Sequence, residues 1–172
     1  MEITIRRADE TDYEQIAKIG RVAVEEAHRA SCSAEDMSEY LASNYSFEAI
    51  KGELHDSRNI YHIIYADGQA VGFSKIVMNA TYPGITESNT TKLDRIYLLK
   101  EFHREGLGTK LLQFNIELSR QHNQSAMWLF TWIGNHKAVA FYQKAGFMII
   151  GSHDFKVTDR HYNPNYHMLL KY

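Results

Sequence analysis

The chain has 172 residues, 44% of them hydrophobic and 23% charged, which fits one globular domain and excludes a disordered polymer. Nineteen Lys+Arg against twenty-one Asp+Glu give a net charge of -2. That balance lacks the basic excess a nucleic-acid binder needs, so no nucleic-acid partner is expected. A single cysteine, Cys32, permits no internal disulfide, in keeping with a reducing compartment.

No run approaches the ~20 apolar residues of a membrane helix, so no membrane partner is expected. Met1 to Arg7 has no apolar stretch behind its charges and does not read as a signal peptide. A cytoplasmic location is the expectation.

In chain order, Ile3 and Ile5 alternate with polar residues as in a strand. Thr11 with Glu14 has the S/T-x-x-E spacing of a capping box. Tyr13, Ile16, Ala17, Gly20, Val24 and Ala27 then recur at helical spacing. Ser33 and Ser46 are expected to start two shorter helices, with Met37, Tyr40 and Leu41 inward in the first and Ile50 and Leu54 in the second. From Ile60 the period changes to two, and Asp67-Gly68 is a two-residue hairpin signal between strands 60–65 and 71–78. Residues 80–90 read as a polar loop and 91–98 as a further strand. Leu107, Leu111, Phe114 and Leu118 mark an amphipathic helix. Strand 126–132 follows, then a helix capped by Asn135 and stopped at Gly146. Strands 147–155 and 166–170 close the chain around a loop containing Pro164. The whole is expected to be one α+β domain over residues 1–172, with a mixed, mostly antiparallel sheet of about seven strands flanked by helices.

Two segments carry candidate chemistry. In Phe102-His103-Arg104-Glu105-Gly106-Leu107-Gly108-Thr109-Lys110, two glycines stand between a strand and a helix. Glycine permits positive φ and close backbone approach, and the free amides of a helix start suit a phosphate. The pattern is neither a dinucleotide fingerprint nor a Walker A loop. Leu111 stands where the former needs glycine, and Thr109 where the latter does. Alone, a tight strand–helix turn without a ligand explains the glycine pair equally well. The second segment is Asn135-x-x-Ala138-x-x-Phe141-Tyr142-x-Lys144-x-Gly146-Phe147, a capped helix with a glycine stop.

Taken together, at this order and separation, the two segments resemble the GNAT superfamily of acyl-CoA-dependent N-acetyltransferases. Gly106-Leu107-Gly108 resembles the end of that family's pyrophosphate loop, Leu93 to Leu98 the strand before it, and Asn135 to Phe147 the later motif. His103 departs from the Gln or Arg usual at its position. Cys32 to Leu41 and Leu93 to Leu98 further resemble the Pai-type spermidine/spermine acetyltransferases.

The resemblance implies that acetyl-CoA is the co-substrate. It places pantetheine along the backbone of Ile96, Tyr97 and Leu98, pyrophosphate on residues 103–109 (His103, Arg104, Glu105, Gly106, Leu107, Gly108 and Thr109), and further CoA contacts at Asn135 and Lys144. Tyr142 resembles the acid that protonates the departing thiolate. An alkylammonium of pKa ~10.4 must shed a proton before attack. Asp94 is the candidate base, with Glu25 or Glu26 as others, and a structural carboxylate is an equal reading of Asp94. No metal is expected: the nine histidines form no H-E-x-x-H pair and no Cys/His cluster, and they read as surface residues.

Residues 25–56 hold eight acids and two bases, a net -6 that leaves +4 for the remainder. In the family's fold these helices wall the acceptor groove, so Glu25, Glu26, Glu35 and Asp36 are candidate contacts for a cationic polyamine. Solvated helix faces explain the same charge. A protein N-terminus, an amino acid, an aminoglycoside, or a non-catalytic CoA-binding role are the alternatives. A homodimer stays open, as does the role of loops 80–90 and 156–164 as gates or plain connections.

Overall fold

Alternating Ile3 and Ile5 build β1 (Ile3–Arg7), which pairs antiparallel with β2 (Asn59–Ala66). Between them run α1 (Tyr13–His28), α2 (Ala34–Asn44) and α3 (Phe47–His55). A computed structural model describes residues Met1–Tyr172 throughout. Ser33 and Ser46 cap α2 and α3 as their positions predict, each accepting from an amide three residues on. The first cap differs. The capping box is Asp9 with Asp12, not Thr11 with Glu14, and the Thr11 hydroxyl instead donates to Asp9. The reason is a short 3-10 turn at Glu10–Asp12 before α1, which moves the helix start past Thr11. Arg6 then secures Asp12 through two bonds of 2.7 and 2.9 Å.

Asp67 (φ 48°) and Gly68 (φ 81°) both take the left-handed conformation that a two-residue hairpin demands, joining β2 to β3 (Gln69–Val77). β4 (Thr90–Leu98), α4 (Leu107–Gln121), β5 (Ala126–Trp132), α5 (His136–Lys144), β6 (Met148–Thr158) and β7 (His161–Lys171) complete the chain. The seven strands form one sheet in the order β1-β2-β3-β4-β5-β7-β6, antiparallel except between β4 and β5.

Residues 156–164 are therefore not a loop. They end β6, turn, and begin β7, with Pro164 inside β7 opposite Asp154. The Pro164 carbonyl accepts from the Ile133 amide just past the last β5–β7 pair, Trp132–Asn165, so the missing N–H faces the side where the β5 ladder has ended.

Adjacent residues of β2 serve opposite faces. Ile63 packs with Ile16, Val24, Ile50 and Phe73 under α1–α3, and Ile64 packs with Val71, Leu107 and Leu111 under α4. Each such side chain is fully buried and contributes about 1.5–3 kcal/mol of transfer free energy. α4 and α5 share a further core with the middle of the sheet, through Leu112, Tyr142, Leu93, Met127 and Met168. No helix is long and apolar enough to cross a membrane.

Candidate functional site

The sheet opens in its middle. β4 pairs with β5 only through Thr90–Ala126, Thr91–Met127 and Lys92–Trp128; beyond Lys92 the strands part. The peptide groups of Leu93 to Leu98 that face β5 have no strand to bond, and unpaired backbone in such a place calls for a ligand. A groove of about 960 Å³ fills the gap, within the range of small-molecule sites. A bulge opposite Lys75 and Ile76 leaves Asp94 without a partner in β3 and turns the strand's end into the groove. Ile96, Tyr97 and Leu98 all line it.

At one end lies the turn into α4. Gly106 has φ 79°, a conformation costly for any residue with a Cβ, and Arg104 is also left-handed. No side chain caps α4, and the first loop-to-helix bond runs from the Lys110 amide to the Gly106 carbonyl. The amides of Leu107, Gly108 and Thr109 thus have no internal acceptor. They stand at the positive end of a fifteen-residue helix, a fit for a pyrophosphate. His103, Arg104, Gly106, Leu107, Gly108 and Thr109 line this end and Glu105 does not. The His103 ring reaches back to the Leu98 carbonyl at 3.1 Å, a role that a sequence position alone does not disclose. Asn135 lines the groove with its Oδ1 committed to capping the Ala138 amide, which leaves its Nδ2 for a ligand. Lys144 lies outside the groove on the exposed face of α5; Lys137 lines it instead.

Tyr142 is core and site at once. Its ring packs with Phe141 and Phe147, it is 9% exposed, and it lines the groove. Its hydroxyl is not among the sealed, partnerless polar atoms of the interior. Burial pushes the phenol well above its ordinary value, so it is a protonated donor throughout the physiological range.

Asp94 lines the groove but is held by Lys75 Nζ at 3.0 Å and Lys92 Nζ at 2.7 Å. The desolvation that would raise its pKa is overcome by these two cations, and the carboxyl falls well below the usual range. Both of its oxygens are thereby engaged by lysine ammoniums, so the structural reading of Asp94 has contacts behind it and a proton-accepting role would require one of these pairs to break. Glu53 binds the same Lys75 at 2.7 Å and Arg95 at 3.0 Å, extending the network beneath the groove.

The acidic wall also disperses. Of Glu25, Glu26, Glu35 and Asp36, only Glu26 lines the groove, with its Oε2 accepting from the Lys100 amide at 3.3 Å. Glu25 pairs with Arg29 one helical turn on, at 3.6 Å. Asp36 is buried and accepts from Ser33, Thr158 and Arg160. Arg160, on the turn between β6 and β7, also holds Glu39 at 2.9 Å and approaches Glu35 at 3.8 Å. These acids clasp α2 to the β6–β7 hairpin. The charge count was right, but its partner lay 120 residues away in sequence, where no local pattern reveals it.

The acceptor end is lined instead by Tyr40, Phe130, Trp132 and Phe155, with the amides of Asn44, Asn163 and Asn165. His28 also lines it, at the last turn of α1, with Nε2 3.3 Å from the Tyr97 hydroxyl. The expectation of surface histidines fails here and at His62 and His167, both only 4% exposed. No group of three or more His, Cys, Asp or Glu has metal-binding geometry.

Comparison with known proteins places this geometry among relatives. The acetyltransferase (GNAT) family model matches residues 22–147. An uncharacterised N-acetyltransferase of Lactobacillus delbrueckii subsp. lactis is 27% identical over 91% of both chains. The spermine/spermidine N(1)-acetyltransferase of Bacillus subtilis (strain 168) is 26% identical over 63% of this chain and 74% of its own. The crystal structure of the PaiA N-acetyltransferase from Thermoplasma acidophilum with coenzyme A superimposes with a TM-score of 0.81 at 21% identity, covering both chains fully.

Proposed function

The chain belongs to the acetyltransferase (GNAT) family and is an acetyl-CoA-dependent N-acetyltransferase, and from that premise we propose that its acceptor is a small primary amine, with a polyamine of the spermidine/spermine kind the first to test. The observation that supports acetyl-CoA as the donor is the parting of β4 from β5 beside an uncapped, glycine-started helix. That arrangement offers backbone bonds to an extended pantetheine and free amides to a pyrophosphate in one continuous groove.

In this reading the backbone of Ile96 to Leu98 aligns the thioester, and a strand amide there polarises its carbonyl. The amides of Leu107, Gly108 and Thr109 hold the pyrophosphate. Loop residues His103, Arg104 and Gly106 shape the turn, and Arg104 adds charge. Asn135 Nδ2 and Lys137 supply further polar contacts to the cofactor. The amine attacks directly, so Cys32 is not needed as a nucleophile. The Tyr142 hydroxyl donates a proton to the departing thiolate, whose ordinary pKa of ~8.5 makes that transfer easy.

Support for a polyamine comes from the likeness to the Bacillus subtilis enzyme and from the Glu26 carboxylate on the groove. The clasped Glu35 and Asp36 no longer contribute to it. A second reading, an amine carried on an apolar or peptide body, is favoured by the aromatic acceptor end around Tyr40, Phe130, Trp132 and Phe155. A thiol-release assay with acetyl-CoA against spermidine, spermine, amino acids, an aminoglycoside and N-terminal peptides tests the choice. Polyamine turnover above the others upholds the first reading, and peptide or amino-acid turnover without it selects the second.

A further inference from the structure

Both Asp94 oxygens are held by lysines and Glu26 Oε2 is taken by the Lys100 amide, which leaves the histidine on the groove as a further candidate proton acceptor. We propose that His28 fills this role through the Tyr97 hydroxyl, as a two-residue proton relay from the attacking amine. The proposal rests on the N-acetyltransferase reading of the groove.

Tyr97 lies on β4 between Ile96 and Leu98, so the strand that would align the thioester also presents this hydroxyl. The His28 Nε2 is 3.3 Å from it, and the two rings meet edge to face at 6.2 Å. Trp132, on the opposite wall at the end of β5, packs against His28 at 6.2 Å between ring centres. His28 is thus fixed on both sides, with one nitrogen aimed at a hydroxyl in the groove.

The charged and titratable groups that share the groove with it are Glu26 on its own helix, Asp94, Arg95 and Tyr97 on β4, Lys100, His103 and Arg104 after it, Lys137 and Tyr142 on α5, and Cys32 and Tyr40 on the α2 side. None of them accounts for its ionisation. Burial alone pushes the imidazole down to about 4, so it is neutral and able to accept at neutral pH. Burial also pushes the Tyr97 phenol well up, so its proton is present to be relayed.

The step balances. The bound ammonium first passes one N–H proton to the Tyr97 oxygen while the Tyr97 proton passes to His28 Nε2, and the freed lone pair then bonds to the thioester carbon, so the acetamide keeps one of the two remaining N–H protons. The resulting imidazolium is disfavoured in an empty groove. It is favoured while negative charge develops on the carbonyl oxygen and then on sulfur in the same space, and the C-terminal end of α1 adds a small attraction. The C–S bond breaks as Tyr142 protonates sulfur, the second amine proton restores Tyr142, and His28 releases its proton to solvent. The products are the acetamide, CoA thiol and one proton.

The test compares the wild type with His28→Gln, Tyr97→Phe and the double variant, using an alkylamine that the wild type acetylates, from pH 6 to 10. Melting temperature and CoA affinity are measured alongside. At pH 7, His28→Gln should lower kcat/KM by about 10²-fold, the low end of general-base effects. The deficit should shrink towards pH 10, where roughly a quarter of an amine of pKa ~10.4 is deprotonated without help, against fewer than about one molecule in 10³ at pH 7. Tyr97→Phe should show the same pattern, and the double variant should fall no further than the worse single one. A deficit constant across the pH range, or additive losses, would overturn the relay while leaving the activity intact. A wild type that binds CoA but acetylates no amine would overturn the activity itself, and the relay with it.

Discussion

Replacing Gly108 by alanine should separate what the fold wants from what the ligand wants. Gly108 is the second residue of α4, where its φ is ordinary and alanine is the better helix former. A Cβ built there would meet Leu98 Cδ1 at 3.4 Å and Phe141 at 3.8 Å, both ordinary contacts. Nothing has to move, and the substitution recovers the backbone entropy that glycine loses, about 0.5–1 kcal/mol. For a domain of this size that is a rise in Tm of roughly 1–4 °C. The same Cβ enters the groove between Leu98 and Phe141, where the first-turn amides would approach the pyrophosphate. Displacing one charge-assisted bond costs about 1.5–3 kcal/mol, or roughly 10- to 150-fold in Kd. Differential scanning fluorimetry of the free protein and titration calorimetry with CoA read the two effects separately. A protein that melts higher and binds CoA as tightly as before would refute the placement of the pyrophosphate on these amides. A protein that melts lower would refute the packing argument.

Three further outcomes follow from the same geometry. Tyr142→Phe removes the hydroxyl of a residue on the groove and keeps its packed ring, so the melting temperature and CoA affinity should hold while kcat falls about 10²-fold near pH 7. The deficit should narrow above pH ~8.5, where the thiolate leaves without a proton, and steady-state profiles check this. Because Lys75 and Lys92 hold Asp94 below its unfolded value, its contribution to stability is complete above the unfolded pKa of ~3.9 and is lost as pH falls towards the folded value. Urea titrations should therefore show Asp94→Asn losing about 3–5 kcal/mol at pH 7 and converging on the wild type as acid is added; equal gaps at pH 7 and pH 2 would contradict the pairing. Arg160→Ala frees Glu39 and weakens the hold on Asp36, and because Arg160 is more than half exposed the cost in stability should be under about 1 kcal/mol. If charge selects the acceptor, the KM for spermidine should fall several-fold in this variant, and an unchanged KM would remove that acidic cluster from the account of specificity.

What the sequence discloses follows the range of the interaction. Strand 126–132, the Asp67-Gly68 hairpin, the Ser33, Ser46 and Asn135 caps and the glycine turn into α4 are all set within a few residues, and their patterns are local. The cofactor end of the groove belongs to this class. It is made largely of main-chain amides and carbonyls, and backbone geometry is dictated by neighbours in sequence. Glu105 and Lys144 mark the limit of that reasoning: a contiguous motif does not say which of its side chains turn to the solvent.

The acceptor end obeys a different rule. His28 meets Tyr97 across 69 residues, Thr158 meets Asp36 across 122, and Arg160 meets Asp36 across 124. Each pairing depends on α1 and α2 being laid over the opened strands, so residues 25–56 read as a uniform acidic wall until the β6–β7 hairpin supplies its counter-charge. The net charge of -2 hides a -6 segment, and the segment in turn hides an internal ion cluster. Neither number describes the field an incoming amine meets. That field is set by what lines the acceptor end: the Glu26 carboxylate beside Lys100, the faces of four aromatic rings, three side-chain amides and a neutral imidazole. Such a surface attracts an ammonium weakly, through ring faces and amide dipoles, and gives up little when the ammonium becomes an amine. A site that must bind a cation and release it as a neutral nucleophile is better served by that surface than by a bank of carboxylates, each of which would hold the proton in place.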